Sequence, residues 1–334
     1  MRYILIVIIF FAAAFLRAAD PVKEGSLIVK PDAFKTLVNP QCSHCRDEAK
    51  RRSGDLRDND QVLCWIRGKY DGGAIPVRFF LNPYRVISDT YGVFVYDPDA
   101  GYARGYAPSL DFTFHGWRNG VMVMKHKDGT LYSCLTGVAF DGPNKGKQLE
   151  VIPTLVSDWG FWLKQYPGTV AYHMFDKYQP LELPTEINAN SQKSRSKPDE
   201  RLPADTSVLG VFDGKTARAY PLAQLAKAGV IHDTVDNKVR VLLWHEPTRT
   251  AAAFWPTATD PEGKSAKARG ITLGLASKEA PAPFVDEESD SLWDITGRAV
   301  AGELKGRALI WLDSTQVKWF AWSAEYPQTT IFGK

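Results

Sequence analysis

Short runs of β-branched and aromatic residues, separated by turn residues, recur along most of the chain. Four such runs are Val93–Tyr96, Gly120–Met124, Val239–Trp244 and Ala308–Leu312. Runs of this length, bounded by Gly, Asp, Asn or Pro, are typical of β-strands. The aspartate-containing stretch between Val93–Tyr96 and Tyr102–Tyr106 predicts a hairpin turn. The pattern therefore predicts a protein made mostly of strands.

A helical spacing of apolar residues follows the strands. Trp159, Trp162, Leu163 and Tyr166 occupy positions i, i+3, i+4 and i+7, which lie on one face of a helix. Pro167 is expected to end this helix. We expect the aromatic face to pack on a sheet rather than to bind a ligand. The predicted fold class is therefore β-rich α+β.

The chain also repeats itself. Residues 136–169, shifted by 160 positions, give twelve identities without a gap, and Trp159 falls on Trp319. Such self-similarity is the signature of a repeated structural unit. Earlier, Val86–Thr90 matches Val230–Thr234 at an offset of 144. The sequence thus predicts two pseudo-symmetric tandem copies, each mostly strands followed by a C-terminal amphipathic helix.

The repeat sets the expected domain organisation. It comprises a signal peptide (1–19), an N-terminal segment with a C-x-x-C motif (20–59), a first copy (60–172), a polar connector (173–205) and a second copy (206–334).

The N-terminus has the pattern of a secretory signal peptide. Arg2 precedes the apolar run Tyr3–Leu16, and the small residues Ala18 and Ala19 follow. The run has fourteen residues, whereas a spanning helix needs about 20. We therefore expect cleavage, no stable membrane span afterwards, and a periplasmic or secreted protein.

Composition and charge exclude several classes of protein. With 334 residues and 44% hydrophobic residues, the chain is neither a small disulfide-stapled scaffold nor a disordered tail. Removal of Arg2 and Arg17 leaves 39 basic and 38 acidic residues, a net charge of +1. A charge this close to zero gives no electrostatic basis for binding nucleic acid.

The strings that carry a family resemblance lie mostly in the second copy. They are Arg201-Leu202-Pro203, Val208-Leu209-Gly210-Val211, Ala217-Arg218-Ala219-Tyr220-Pro221-Leu222, Ser291-Leu292-Trp293, Thr296-Gly297-Arg298-Ala299-Val300, Trp319-Phe320-Ala321-Trp322 and Tyr326-Pro327. Together they resemble the bacterial, extracytoplasmic family called domain of unknown function 3179, over about Leu56 to Phe332. The resemblance implies a fold more than a function, because the family has no established activity.

One departure from that family bears on chemistry. Many members carry Y-C-P-L-C-G where this chain has Tyr96-Asp97-Pro98-Asp99-Ala100-Gly101. Asp97 and Ala100 therefore stand at the positions of the two cysteines. Any thiol or soft-metal chemistry that those cysteines support is in doubt here.

Another cysteine motif lies near the N-terminus, where Cys42, His44 and Cys45 form a C-x-x-C with an internal histidine. Three interpretations remain open for it. The first is a structural disulfide, either within the motif or from one of its cysteines to Cys64. The second is a zinc or copper site, and the third is a redox-active dithiol.

The first copy also holds candidate ligand-binding residues: Asp89, Asp97, His115 and Trp117. Asp89-Thr90 recurs as Asp233-Thr234, which favours a structural turn at both places. The sequence lacks a G-x-S-x-G elbow, an H-E-x-x-H motif and a phosphate- or dinucleotide-binding loop. Whether the chain is an enzyme is therefore open.

The leading hypothesis is a periplasmic or secreted module that binds a small ligand or an envelope protein, with a cleft in or near the first copy. The alternatives are a metal- or thiol-dependent enzyme or metal handler that uses the C-x-x-C segment, and a structural envelope protein.

Overall fold

The computed structural model describes residues 25–40, 56–67, 71–81, 84–172, 189–260 and 268–334. Within these ranges the protein is rich in strands, with four helices, which confirms the predicted β-rich α+β class. We call the described residues within 25–172 the first half and those within 189–334 the second half.

The strands of the first half are β1 (Ile28–Val29), β2 (Lys35–Val38), β3 (Gln61–Arg67), β4 (Asp71–Pro76), β5 (Tyr84–Ser88), β6 (Val93–Asp97), β7 (Tyr102–Tyr106), β8 (Phe112–Arg118), β9 (Val121–His126), β10 (Leu131–Ser133), β11 (Ala139–Asp141), β12 (Val151–Ile152), β13 (Thr154–Asp158) and β14 (Val170–Ala171). Those of the second half are β15 (Ser207–Phe212), β16 (Ala217–Pro221), β17 (Val230–Val235), β18 (Lys238–His245), β19 (Thr250–Thr259), β20 (Arg269–Gly270), β21 (Leu273–Leu275), β22 (Phe284–Asp286), β23 (Leu292–Trp293), β24 (Ala299–Ala301), β25 (Ala308–Trp311), β26 (Asp313–Lys318) and β27 (Thr330–Ile331). The helices are α1 (Trp159–Gln165), α2 (Ala189–Ser194), α3 (Leu222–Ala228) and α4 (Trp319–Glu325), and two 3-10 turns span Pro31–Ala33 and Val77–Phe80.

These strands form six sheets, three in each half. In the first half the orders are β1-β8-β9-β10-β11, β12-β7-β6-β5-β2 and β13-β3-β4-β14. In the second half they are β26-β15-β16-β27, β21-β22-β23-β24 and β17-β18-β19-β20, where β25 also pairs with β19. Two of the three four-stranded sheets, β13-β3-β4-β14 and β26-β15-β16-β27, end in a parallel pair, β4 with β14 and β16 with β27.

The predicted hairpin and aromatic helix are both present. Strands β6 and β7 pair antiparallel around the turn that follows Asp97. Helix α1 begins at Trp159, directly after β13, and ends before Tyr166. Helix α4 occupies the matching place after β26. Its Trp322 ring lies so close to β15 that a Cβ on Gly210 would be 2.3 Å from it, which explains the glycine there.

Helix α2 lies inside the segment predicted to be a polar connector. Ser191 donates a hydrogen bond to the carbonyl of Gly120, and the Ser194 hydroxyl accepts one from the Gly120 N–H. Arg195 follows, with its guanidinium 3.7 Å from the centre of the Phe320 ring. This part of the connector therefore packs against both halves.

The two halves share their hydrophobic cores. In one core, residues of the first half between Val86 and Ala139 pack against the second half's Val317, Trp319 and Phe320. In another, Trp159, Trp162 and Tyr166 of α1 pack with second-half residues between Val241 and Leu309. Each aromatic helix thus closes a core whose strands belong largely to the other half.

Polar contacts join the halves at the same places. The Tyr166 hydroxyl lies 2.5 Å from the Thr296 hydroxyl, and the Phe161 ring lies 4.5 Å from the His245 ring. Arg104 donates two hydrogen bonds to Asp313, at 2.5 and 3.1 Å. Among the described helices, none combines the length and apolar character that a membrane span requires.

Substitution Phe320→Ala should therefore destabilise the first half as well as the second half, in which Phe320 lies. We expect the free energy of unfolding to fall by about 3–5 kcal/mol, because a large ring is removed from a shared core. Hydrogen exchange followed by mass spectrometry should show lost protection in β8 and β9, which flank Gly120. Ile310→Ala, at a side chain that is 43% exposed, is the control and should change stability by less than about 0.5 kcal/mol. Loss of protection confined to residues 189–334 would contradict the shared core.

Candidate functional site

A cavity of about 210 Å³ lies where the two halves meet. Strands of both halves border it: β3, β6, β7 and β13 from the first half, and β19 and β26 from the second. Hydrogen bonds cross the junction: Thr315 Oγ1 donates to the Ala103 carbonyl at 3.2 Å, and Thr250 Oγ1 donates to the Val156 carbonyl at 2.8 Å. We call this space the junction cavity.

Its wall is rich in neutral hydrogen-bonding groups. The polar residues are Gln61, Tyr96, Thr154, Thr248, Arg249, Ser314, Thr315 and Gln316. Among the described residues that line the cavity, there is no Asp, Glu, His, Cys or Lys. The wall therefore offers hydroxyls, amides, a phenol and one guanidinium, but no side chain suited to general acid–base catalysis near neutral pH.

One wall of the cavity is the turn between β18 and β19, and its conformation is fixed from two sides. The Gln316 amide accepts a hydrogen bond from Ala251 N at 3.0 Å and donates one to the Arg249 carbonyl at 3.1 Å. The Thr248 hydroxyl bonds to His245 Nδ1 at 2.7 Å and to the Thr250 hydroxyl at 2.8 Å. Hydrogen bonds within the protein thus hold the turn in place.

Arg249 has an unusual backbone conformation within this turn. Its φ is +52°, in the left-handed region that disfavours side chains with a Cβ. In the hairpin turn between β6 and β7, the residue that borders the cavity with positive φ is Gly101, at +72°. Backbone strain of this kind persists where the surrounding structure holds it, and it concentrates at functional sites.

Asp97 lies behind the cavity wall rather than in it. Its Oδ1 accepts hydrogen bonds from the backbone N–H groups of Asp99 and Ala100 at 3.0 and 3.1 Å, and its Oδ2 accepts one from Met122 at 3.4 Å. Burial, followed by the negative charge of Asp99, raises the pKa of Asp97 to about 6. Its neighbours Tyr96 and Gly101 line the cavity, whereas its carboxyl is buried and holds the turn.

Asp89 is at the opposite end of the β5–β6 hairpin from Asp97. Its carboxylate accepts hydrogen bonds from the Tyr172 hydroxyl and from Thr90. In the second half, Asp233 accepts one from the Tyr220 hydroxyl at 2.7 Å. Asp89 and Thr90 lie in the turn between β5 and β6, as predicted. Asp233 and Thr234 instead lie within strand β17, paired with Arg240 and Val239, so the structural-turn prediction is wrong for the second pair.

The other two predicted ligand-binding residues lie on β8. Trp117 is buried, with its ring 5.0 Å from Phe114 and 5.8 Å from Phe34. His115 sits at a bulge between β8 and β9, and burial together with Lys125 lowers the pKa of its imidazole. Trp117 and Asp97 thus belong to the interior of the first half, and His115 is half-buried. None of the four predicted residues is among those that line the junction cavity. Their role in binding stays a prediction.

Cys64 and Cys134 are buried free thiols, and burial raises the pKa of each well above its usual value. The Cys64 thiol donates to the Leu155 carbonyl at 3.4 Å. Cys42, His44 and Cys45 lie outside the described residues, so the disulfide, metal and redox interpretations of that motif stay predictions. In the described ranges, no group of three or more His, Cys, Asp or Glu residues is arranged to hold a metal ion.

Sequence reasoning missed the cavity residues, although the repeat contained a signal for them. An offset of 160 places Thr154–Val156 on Ser314–Gln316, and both segments line the cavity. The departure from the Y-C-P-L-C-G segment of the family drew attention to the turn at Asp97, but it could not show that Arg249, in the predicted second copy, lines the same space.

The pH dependence of stability should reveal two opposing groups, Asp97 and His245. Because the folded pKa of Asp97 is raised to about 6, its favourable contribution is full at low pH and is lost as the pH rises through about 6. Burial lowers the pKa of His245 to about 4, so its contribution is full above about 6.5 and is lost as the pH falls through about 4.

We therefore expect Asp97→Asn to make the free energy of unfolding rise more steeply than in the wild type between about pH 4 and pH 6. His245→Gln should have the opposite effect on that slope. Urea unfolding at several pH values measures both slopes. Slopes that match the wild type in both variants would contradict this assignment.

Comparison with protein families places the chain in one of them. Residues 94–329 match a family described as protein of unknown function (DUF3179). The matched region contains both turns that border the junction cavity. Comparisons with curated proteins and with solved structures returned no match. Because the family match covers more than half of the sequence, and agrees with the resemblance seen in the sequence strings, the chain belongs to the DUF3179 family.

Proposed function

We propose that the protein is an extracytoplasmic binding module that holds a small polar ligand in the junction cavity. The observation that carries this proposal is the chemistry of the wall, which combines hydroxyl, amide and guanidinium groups with no catalytic acid, base or thiol among its described residues. A volume of about 210 Å³ is below the range of about 300–1,000 Å³ typical for drug-sized ligands, so the ligand is small.

Preorganisation supports binding at this place. Gln316 ties β26 to the turn at Arg249, and Thr315 ties β26 to β7 at Ala103. Groups that are already fixed lose little conformational entropy when a ligand arrives, which favours affinity. A site at the junction between two halves is also a common location for small-molecule binding.

We also propose that the chain arose by tandem duplication and that the cavity lies between the two copies. The twelve identities at an offset of 160 support this origin. The sheets β13-β3-β4-β14 and β26-β15-β16-β27 also support it, because each has an aromatic helix directly after its edge strand. The turn between β6 and β7 and the turn between β18 and β19 also resemble each other, because Gly101 and Arg249 both have a positive φ.

A cavity-filling variant tests the binding proposal. Gln61→Trp should abolish binding, because the indole would occupy the space that the half-buried Gln61 borders. A library of sugars, organic acids and amino acids, screened by thermal shift against the wild type, would supply the ligand. Gln148→Trp, at a separate cavity of about 320 Å³, is the matched control and should bind as the wild type does.

Ligands that bind Gln61→Trp as tightly as the wild type would show that the junction cavity is not the site. Chemical conversion of the bound ligand by the wild type would show that the protein is an enzyme rather than a binding module.

The extracytoplasmic location has its own test. Expressed in a Gram-negative host, the protein should be recovered from the periplasm with a new N-terminus close to residue 20, because the apolar run Tyr3–Leu16 directs export. Ile8→Arg, which interrupts the run, should keep the protein in the cytoplasm. N-terminal sequencing of both fractions measures this. An intact Met1 on cytoplasmic wild-type protein would contradict the location.

A further inference from the structure

Three side chains of the junction cavity make no hydrogen bond or ion pair within the described part of the chain. They are the Gln61 amide, the Tyr96 hydroxyl and the Arg249 guanidinium. The hydroxyls of Thr248 and Thr315 and the Gln316 amide, in contrast, are already engaged with their neighbours. These three groups therefore remain for a ligand. The Gln61 amide and the Tyr96 hydroxyl can donate or accept a hydrogen bond, and the Arg249 guanidinium can only donate.

The conformation of Arg249 adds an independent argument. A glycine would adopt its φ of +52° without steric cost, as Gly101 does at the corresponding point of the first-half turn. The chain instead keeps a long cationic side chain at this position and fixes its carbonyl through Gln316. An arginine held in an unfavourable conformation at the edge of a cavity points to a role for its guanidinium.

Charge around the cavity favours an anion. Arg249 is an exposed residue, and the described residues that line the cavity include no carboxylate to pair with it. The positive charge of Arg249 acts on the carboxyl of Asp158, at the end of β13, and no ion pair joins the two. A planar guanidinium matches a carboxylate or a phosphate through two parallel N–H···O bonds.

We propose that the ligand of the junction cavity is a small polar molecule with one oxyanion group, a carboxylate or a phosphate, which Arg249 binds. Gln61 and Tyr96 hold the polar body of that ligand. Gln316 is a positioning residue, because it fixes the turn rather than touching the anion. This inference rests on the proposed function, and its test is designed so that the two can fail separately.

The test uses three six-carbon polyols that differ in one group: gluconate carries a carboxylate, sorbitol 6-phosphate a phosphate, and sorbitol no charge. Isothermal titration of the full-length protein should show binding of at least one anion, and weaker or no binding of sorbitol. The tighter anion identifies the source of the oxyanion. Arg249→Gln should weaken anion binding about 10- to 100-fold, as expected for loss of charged hydrogen bonds. Arg269→Gln, at an exposed arginine paired with Glu303, is the control and should leave binding unchanged.

Arg249→Gly separates binding from folding. It should lose the anion to the same extent as Arg249→Gln while raising the melting temperature, because glycine relieves the positive φ. A lower melting temperature for Arg249→Gly would contradict the backbone argument. Asp158→Asn should tighten anion binding and leave sorbitol unaffected, because it removes a negative charge that interacts with Arg249.

The failures are distinguishable. If sorbitol binds as tightly as the two anions, or if anion binding survives in Arg249→Gln, the oxyanion inference is wrong while the binding proposal stands. The oxyanion inference is also wrong if none of the three polyols binds and the ligand found by the thermal-shift screen is uncharged. If no ligand depends on Gln61, both proposals fall.

Discussion

The burial of two aromatic helices against strands of the opposite half is the constraint on which the rest of this structure depends. Trp159 and Trp162 on α1, and Trp319 and Trp322 on α4, are all buried. Large aromatic side chains contribute much of the apolar area in a core, so each half lacks an essential part of its packing without the other. The Arg104–Asp313 pair and the Tyr166–Thr296 contact then fix the relative position of the halves.

The junction cavity follows from this packing of each aromatic helix against strands of the other half. Strands of both halves meet there at polar residues, between the cores that support them. The result is a small space in which Thr315 bonds across the junction to Ala103, and Gln316 bonds to the turn at Arg249. A site built on strands that two cores support keeps its geometry better than a site on an isolated loop.

Local patterns in the sequence were sufficient for individual elements but not for their arrangement. The β6–β7 hairpin and helix α1 follow from side-chain spacing that any short window displays. The apolar face of α1 can be predicted in the same way. Side-chain spacing cannot show which sheet covers that face, so the packing of each aromatic helix on the other half could not be predicted. The same limit applies to Arg249, whose carbonyl is held by Gln316, 67 residues further along the chain. Asp97 drew attention because it stands where many family members have a cysteine, but its carboxyl is buried and bonds to its own turn.

Helix α4, which packs on strands of the first half, also constrains how the chain can fold during synthesis. Asn119 bonds to Glu325 and Arg104 bonds to Asp313, contacts that span 206 and 209 residues. The core around Val86–Ala139 therefore stays open until residues 313–325 are available to pack against it. Contacts of such long range slow folding and leave apolar strands uncovered in the meantime. A chain built this way therefore gains from protection of its first half until α4 has been synthesised.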